Sequence, residues 1–248
     1  MDVPELVIDG KVATITLRRP TKANRLEADD LIALLEHIQR INSTPDVLVL
    51  VIRSQGKYFS SGFDTSRLAS QMTVSFEDVI NAVEDCRSVT VAVLQGGVYG
   101  GATELALACD FRLGAENIDM FMPAARLGLM FSPRELERFV TRIGVDNTKR
   151  LFLTGERIPA PEMRTIGYLT RIVAAEQLDE AAQNLIDQLT GMAPLSLLSM
   201  KKHLNRKARG LLDEASLKHD IDVVRASNDR REGIAARAEK REPNFTGT

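Results

Sequence analysis

Val89-Thr90-Val91-Ala92-Val93-Leu94, running into Gln95-Gly96-Gly97-Val98-Tyr99-Gly100-Gly101-Ala102-Thr103-Glu104 and then Leu105-Ala106-Leu107-Ala108-Cys109-Asp110, decides the fold class. The first six residues form an apolar, β-branched run of the kind found in strands buried on both faces. Glycines then turn the chain, and the small apolar residues after Glu104 read as a buried helix. The same order occurs upstream, where Val47 to Ile52 is a strand, Gly56-Lys57-Tyr58-Phe59-Ser60-Ser61-Gly62-Phe63-Asp64 a glycine-bearing turn, and Phe76 to Cys86 a helix. Repeated strand, turn and helix predict parallel strands joined by right-handed crossovers, an α/β fold.

Outward from this centre the pattern changes. Leu6 to Ile8 and Val12 to Leu17 flank Asp9-Gly10-Lys11, which predicts a β-hairpin. Pro20 ends its second strand, and Leu26 to Ile41 carries apolar residues at helical spacing. Phe111 to Gly114 and Met120 to Met122 are short strands. After Arg134 the chain turns helical: Leu136 to Ile143, Thr148 to Leu153, Pro161 to Ile166, Leu178 to Met192, Pro194 to Leu204 and Leu211 to Ala226, with Leu169 to Val173 as an extended exception. Ser227 or Asn228 caps a last helix that Pro243 stops. That helix is short and polar, so it is expected to dock on a neighbouring subunit or a ligand.

The 248 residues carry a net charge of −2 with interspersed signs, so no global basic field points to nucleic acid or a membrane surface. Hydrophobic residues at 44% suffice for a core and argue against disorder. No signal peptide or membrane span is visible. Cys86 and Cys109 have no metal or disulfide spacing, which fits a reducing, cytoplasmic setting. His37, His203 and His219 stand apart and read as packing or surface residues. No metal cluster, P-loop or dinucleotide fingerprint occurs, so neither metal nor nicotinamide is expected.

Glycine allows sharp turns and close approach, so free backbone N–H groups can be aimed at one point, and two such groups make an oxyanion hole. Glu104 stands at the first turn of the apolar helix that follows. The helix dipole favours its anion while burial favours the neutral acid, a balance suited to general acid/base work.

These segments resemble the crotonase superfamily, also called the enoyl-CoA hydratase/isomerase family. The likeness rests on Leu17-Arg18-Arg19-Pro20 with Asn24, Phe59 to Asp64, Gln95 to Asp110, Pro123 with Leu127-Gly128-Leu129, Leu153-Thr154-Gly155-Glu156, Ala193-Pro194, and Asp229 to Phe245. It implies a spiral core of repeated ββα units, expected here over residues 1–190, with a helical trimerisation region over residues 191–248, as homotrimers or dimers of trimers. It also implies an acyl-CoA thioester substrate, with coenzyme A as part of the substrate rather than a cofactor. An enolate-like oxyanion would be held by the N–H groups of Phe63 and Gly101, flanked by Ser61, Gly62, Asp64 and Gly100. By the same likeness Glu104 is the first of two glutamates used by family hydratases. Lys22, Asn24, Lys57 and Lys240 lie where the family meets coenzyme A.

The second glutamate of the family falls on Ala124, in Met122-Pro123-Ala124-Ala125-Arg126-Leu127-Gly128-Leu129. A methyl group moves no proton. The glycine-rich turn expected next is replaced by Met130-Phe131-Ser132-Pro133-Arg134-Glu135-Leu136-Glu137-Arg138, without a glycine. Its charged residues Arg134, Glu135 and Glu137, with Arg126 before them, read as solvated or paired helix residues. The leading expectation is hydration of an enoyl-CoA, or its reverse, with Glu104 as the one inherited acid/base. Decarboxylation or carbon–carbon hydrolysis needs an enolate but not two carboxylates and stays open, as does acyl-CoA binding without catalysis.

Overall fold

Asp9-Gly10-Lys11 does make the first turn: β1 (Glu5–Asp9) and β2 (Val12–Leu17) pair antiparallel, with Gly10 at a φ of +52° that glycine adopts without strain. The structure is a computed structural model describing residues 2–64 and 73–248. Next comes α1 (Ala28–Asn42), opened by a capping box between Glu27 and Asp30 and burying Leu31, Leu34, Ile38 and Ile41 at helical spacing. Then follow β3 (Val49–Ser54), α2 (Phe76–Glu84), β4 (Val89–Leu94), β5 (Val98–Tyr99), α3 (Gly101–Ala108), β6 (Phe111–Ala115) and β7 (Asp119–Phe121). The remaining elements are α4 (Pro133–Ile143), α5 (Val145–Lys149), β8 (Ile158–Pro159), α6 (Ala160–Thr165), β9 (Arg171–Val173), α7 (Leu178–Thr190), α8 (Pro194–Ala208), α9 (Glu214–Ala226) and α10 (Asn228–Glu239).

Among the described residues the strands make two sheets, one ordered β1-β2-β3-β4-β6-β9 and the other β5-β7-β8. From β2 to β9 the larger sheet is parallel throughout. Every residue of β4 is buried, as its unbroken apolar run demands. The smaller sheet joins β5 to β7 in parallel and β7 to β8 antiparallel. It holds the chain just ahead of α3.

Two expectations shift. Leu26 belongs to an isolated bridge with Phe63 rather than to α1, which fixes the first glycine turn against the start of that helix. The last helix is capped by Ser227 as expected, but it ends at Glu239 with Lys240 at φ +55°, before Pro243. Its tail folds back: Thr246 and Gly247 donate backbone N–H groups to Asp229 at 2.8 and 2.9 Å, and Arg241 pairs with Glu232 at 2.6 Å. Side-chain acceptors at the first turns of α10 thus anchor the polar helix locally. Among the described residues no helix is long and apolar enough to cross a membrane.

Candidate active site

Two glycine segments meet side by side at the end of the larger sheet. Ser60 and Val98 form a parallel bridge, Tyr99 donates its N–H to the Ser60 carbonyl at 3.0 Å, and Phe59 donates to the Gly97 carbonyl at 3.2 Å. Such closeness requires absent side chains. A Cβ on Gly96 would sit 1.8 Å from the Lys57 carbonyl oxygen. One on Gly62, whose φ is +92°, would sit 2.7 Å from the Tyr99 oxygen and 2.8 Å from the Gly101 nitrogen. The glycines therefore do more than turn the chain.

Their contact sets the direction of two N–H groups. In the bridge with Phe63, Leu26 donates to the Gly62 carbonyl at 2.8 Å and accepts from the Asp64 N–H at 3.0 Å. A parallel bridge of this kind turns the N–H of Phe63 to the opposite side. Gly101 is the first residue of α3, so its N–H has no partner inside the helix. Among the described residues neither N–H has an acceptor. The Phe76 ring covers this point: it stacks on Phe63 with centroids 5.7 Å apart, and its Cζ lies 2.8 Å from where a Gly101 Cβ would stand. At the far end of α3 the Cys109 carbonyl accepts from Arg112 at 2.5 Å and Arg142 at 3.2 Å, cations placed where the helix dipole is negative.

Glu104, in the first turn of α3, is buried and is not alone. The fully buried Arg138 of α4 donates Nη1 to its carboxylate. The same guanidinium reaches Asn81 at 2.8 Å and Glu84 at 3.0 and 3.1 Å, both on α2. Arg134 holds Glu84 from the other side at 2.9 and 3.0 Å. Burial tends to raise the Glu84 pKa, but Arg138 and Arg134 outweigh it and hold the group below the ordinary carboxylate range. Glu104 goes the other way. Burial, opposed by Arg138 and reinforced by the neighbouring carboxyl of Glu135, pushes it up to about 8.

Glu135 fits its reading as a paired helix residue. It occupies the third position of α4, where its carboxylate accepts from the Ser132 N–H at 2.5 Å in a capping box. Its companions do behave as expected: Arg134 pairs with Glu84 and Asp85, Glu137 with Arg209, and Arg126 donates to the Thr154 carbonyl. The residue that the sequence reading missed is Arg138, whose bond to Glu104 joins α4 to α3 and leaves no local pattern in the sequence.

The expected coenzyme A contacts divide. Asn24 is a structural pin: buried, it accepts from the Arg19 N–H at 2.9 Å and donates to the carbonyls of Gln55 and Tyr58 at 2.8 and 2.9 Å, leaving no face for a ligand. Lys22 is half exposed and pairs with Glu27 at 2.7 Å. Lys57 and Lys240 are exposed. Ser61 ties its N–H to the Ala23 carbonyl at 2.8 Å, while the Oγ of Ser60 links the Gly62 N–H to the Asn24 carbonyl. Asp64 lies 3.4 Å from Arg25. Gly100, at φ +54°, donates its N–H to the Phe121 carbonyl at 2.9 Å. Ala124 is buried at the start of a 3-10 turn that follows β7.

The profile of the enoyl-CoA hydratase/isomerase family matches residues 8–248. The chain belongs to this family. It is 30% identical over 261 residues to a protein of Mycobacterium leprae named a probable enoyl-CoA hydratase, covering 99% of each chain. It is 26% identical over 264 residues to the peroxisomal Delta(3,5)-Delta(2,4)-dienoyl-CoA isomerase of Arabidopsis thaliana, covering 96% of this chain and 93% of the relative. An enoyl-CoA hydratase/carnithine racemase structure from Magnetospirillum magneticum superposes with a TM-score of 0.92 at 25% identity, over 100% of this chain and 97% of that one. The crotonase-type α/β fold is thereby shown, and the family acts on acyl-CoA substrates.

Proposed function

We propose that this enzyme adds water to an enoyl-CoA, or removes it, with the thioester oxygen held by the N–H groups of Phe63 and Gly101 and with Glu104 as acid/base. The observation that carries this reading is the pair of N–H groups without acceptors on either side of the Gly62 contact, one turn from a buried carboxyl group. Fixed donors beneath an apolar ring favour the charge that develops on the thioester oxygen, which makes the β-carbon electrophilic. The N-terminus of α3 adds its dipole in the same sense.

Lys57 and Lys240, both exposed, are the proposed partners of the coenzyme A phosphates, with Lys22 after release from Glu27. Residues 191–248 are the proposed trimerisation region, from which homotrimers, alone or paired, would form. An open cleft of about 700 Å³ there, lined by Met200, Leu204, Leu212, Leu217, Ile221 and Val224, supports a self-association surface. Two buried free thiols, Cys86 and Cys109, fit a cytoplasmic setting.

Crotonyl-CoA is the probe. Its conjugated-thioester absorbance is expected to fall on incubation with the protein, and Glu104→Ala is expected to abolish the change. Undiminished turnover by Glu104→Ala contradicts the reading.

A further inference from the structure

Arg138, in the middle of α4, is buried and donates Nη1 to the Glu104 carboxylate. The rest of its guanidinium is occupied on α2. Nε and Nη2 meet the two oxygens of Glu84 at 3.1 and 3.0 Å, a bidentate fork, and Nη2 also reaches the Asn81 amide oxygen at 2.8 Å. These contacts fix the plane of the guanidinium, so Nη1 arrives at Glu104 from one direction.

A buried cation beside an acid/base group has a drawback, because an unbalanced guanidinium would hold Glu104 as a weakly basic anion. Glu84 removes it. Its carboxylate is kept charged by Arg138 and Arg134 and meets Arg138 with both oxygens, so the positive charge is offset on the α2 side. Glu104 gains an oriented donor, while its carboxyl, pushed up to about 8 by burial against the pull of Arg138, still exchanges a proton near neutral pH.

We infer that Arg138 is the positioning residue of the acid/base group: it fixes the orientation of Glu104, and Glu84 supplies the counter-charge that lets it do so. The inference rests on the proposed hydration, in which Ala124 offers no second carboxylate and Glu104 takes a proton from water and gives it to the α-carbon. A group that serves two atoms in turn depends on its placement, since a shift of about 1 Å can cost about 10²-fold in rate. The Arg138 side chain has no exposed surface, so it acts through Glu104 and not on the substrate.

The test compares Arg138→Met, which keeps length without donors, and Arg138→Lys, which keeps charge without the fork. Arg87→Met is the control. Arg87 donates to the carbonyls of Thr44, Pro45 and Val47 at 2.8 to 3.0 Å, ahead of β4 and so at the end of that strand opposite the glycine turn. All are assayed well below their melting temperatures, and the lysine variant carries the comparison if the methionine variant does not fold. With crotonyl-CoA, Arg138→Met should lower kcat about 10²-fold and Arg138→Lys about 10-fold, with KM within about twofold of wild type. Arg87→Met should lower Tm and leave kcat within about twofold. A second readout needs no turnover: the Glu104 carboxyl band, taken as the infrared difference between each protein and its Glu104→Gln counterpart, should shift and broaden without Arg138. Full turnover by either Arg138 variant, a loss that lies in KM alone, an equal kcat loss in Arg87→Met, or an unmoved band overturns the inference. A wild type whose band depends on Arg138 but which leaves crotonyl-CoA unchanged upholds the positioning role and contradicts the hydration reading instead.

Discussion

The two halves of the candidate site are built from different materials. The proposed oxyanion half is backbone: Gly62, Gly100 and Gly101 let two chain segments touch, and the atoms proposed to act are peptide nitrogens. The proposed proton-transfer half is side chain: Glu104 is held by Arg138, which is itself held by Glu84 and Asn81. The backbone device depends on close approach, which a Cβ on Gly62 would prevent. The side-chain device depends on ion pairs and hydrogen bonds between separate helices. The comparison teaches that the first half is fixed by local conformation, whereas the second is fixed by long-range packing.

Substitutions separate the halves, and the largest effect is expected from Glu104→Ala. It removes the acid/base group and should cut crotonyl-CoA turnover by about 10²- to 10⁴-fold in an absorbance assay. Gly62→Ala strikes the other half. A methyl 2.8 Å from the Gly101 nitrogen, at a φ of +92°, must push the segments apart. Loss of one aligned donor should then cost about 10²- to 10³-fold in kcat, with Glu104 chemistry otherwise intact. If Gly62→Ala turns over normally, the backbone half does not depend on this contact.

Arg138→Ala probes stability as well as rate. It leaves Glu104 buried without its cation, while Glu84 keeps Arg134, and breaking such a buried pair costs about 3–5 kcal/mol, measurable by urea unfolding. A gentler effect comes from pH. The folded chain keeps the proton of Glu104 up to about 8, while the unfolded chain releases it near the ordinary value of 4.5. Across that window the unfolded state binds fewer protons, so stability falls as pH rises. Glu104→Gln should remove this slope from urea melts taken at a series of pH values. The smallest expected effect is Lys57→Ala, which should weaken coenzyme A binding by about 1 kcal/mol or less, and less still at high salt, by calorimetry.

Much of the backbone half was legible in the sequence. Apolar runs such as Val89 to Leu94 and turn signals such as Asp9-Gly10 depend on neighbours along the chain, and both appear where predicted. Gly100-Gly101 ahead of an apolar helix likewise predicted a site of close approach. The two-residue strands β5 and β8 were not legible, because so short a segment carries no period. Asn24 was placed at coenzyme A by the family likeness, and its three hydrogen bonds to the protein, made to residues distant in the chain, were not legible from its neighbours. Arg138 was hidden because its bond to Glu104 is set by the packing of α4 against α3, a long-range fact.

The central claim, that the amides of Phe63 and Gly101 polarise one thioester oxygen, is tested most directly by the vibrational frequency of that carbonyl. An unreactive acyl-CoA carrying a carbon-13 label at the thioester carbonyl, bound to the protein and read by isotope-edited infrared difference spectroscopy, should show a stretch lowered from its value in water. Gly62→Ala should return it toward that value. A bound carbonyl vibrating as it does in water would contradict the account.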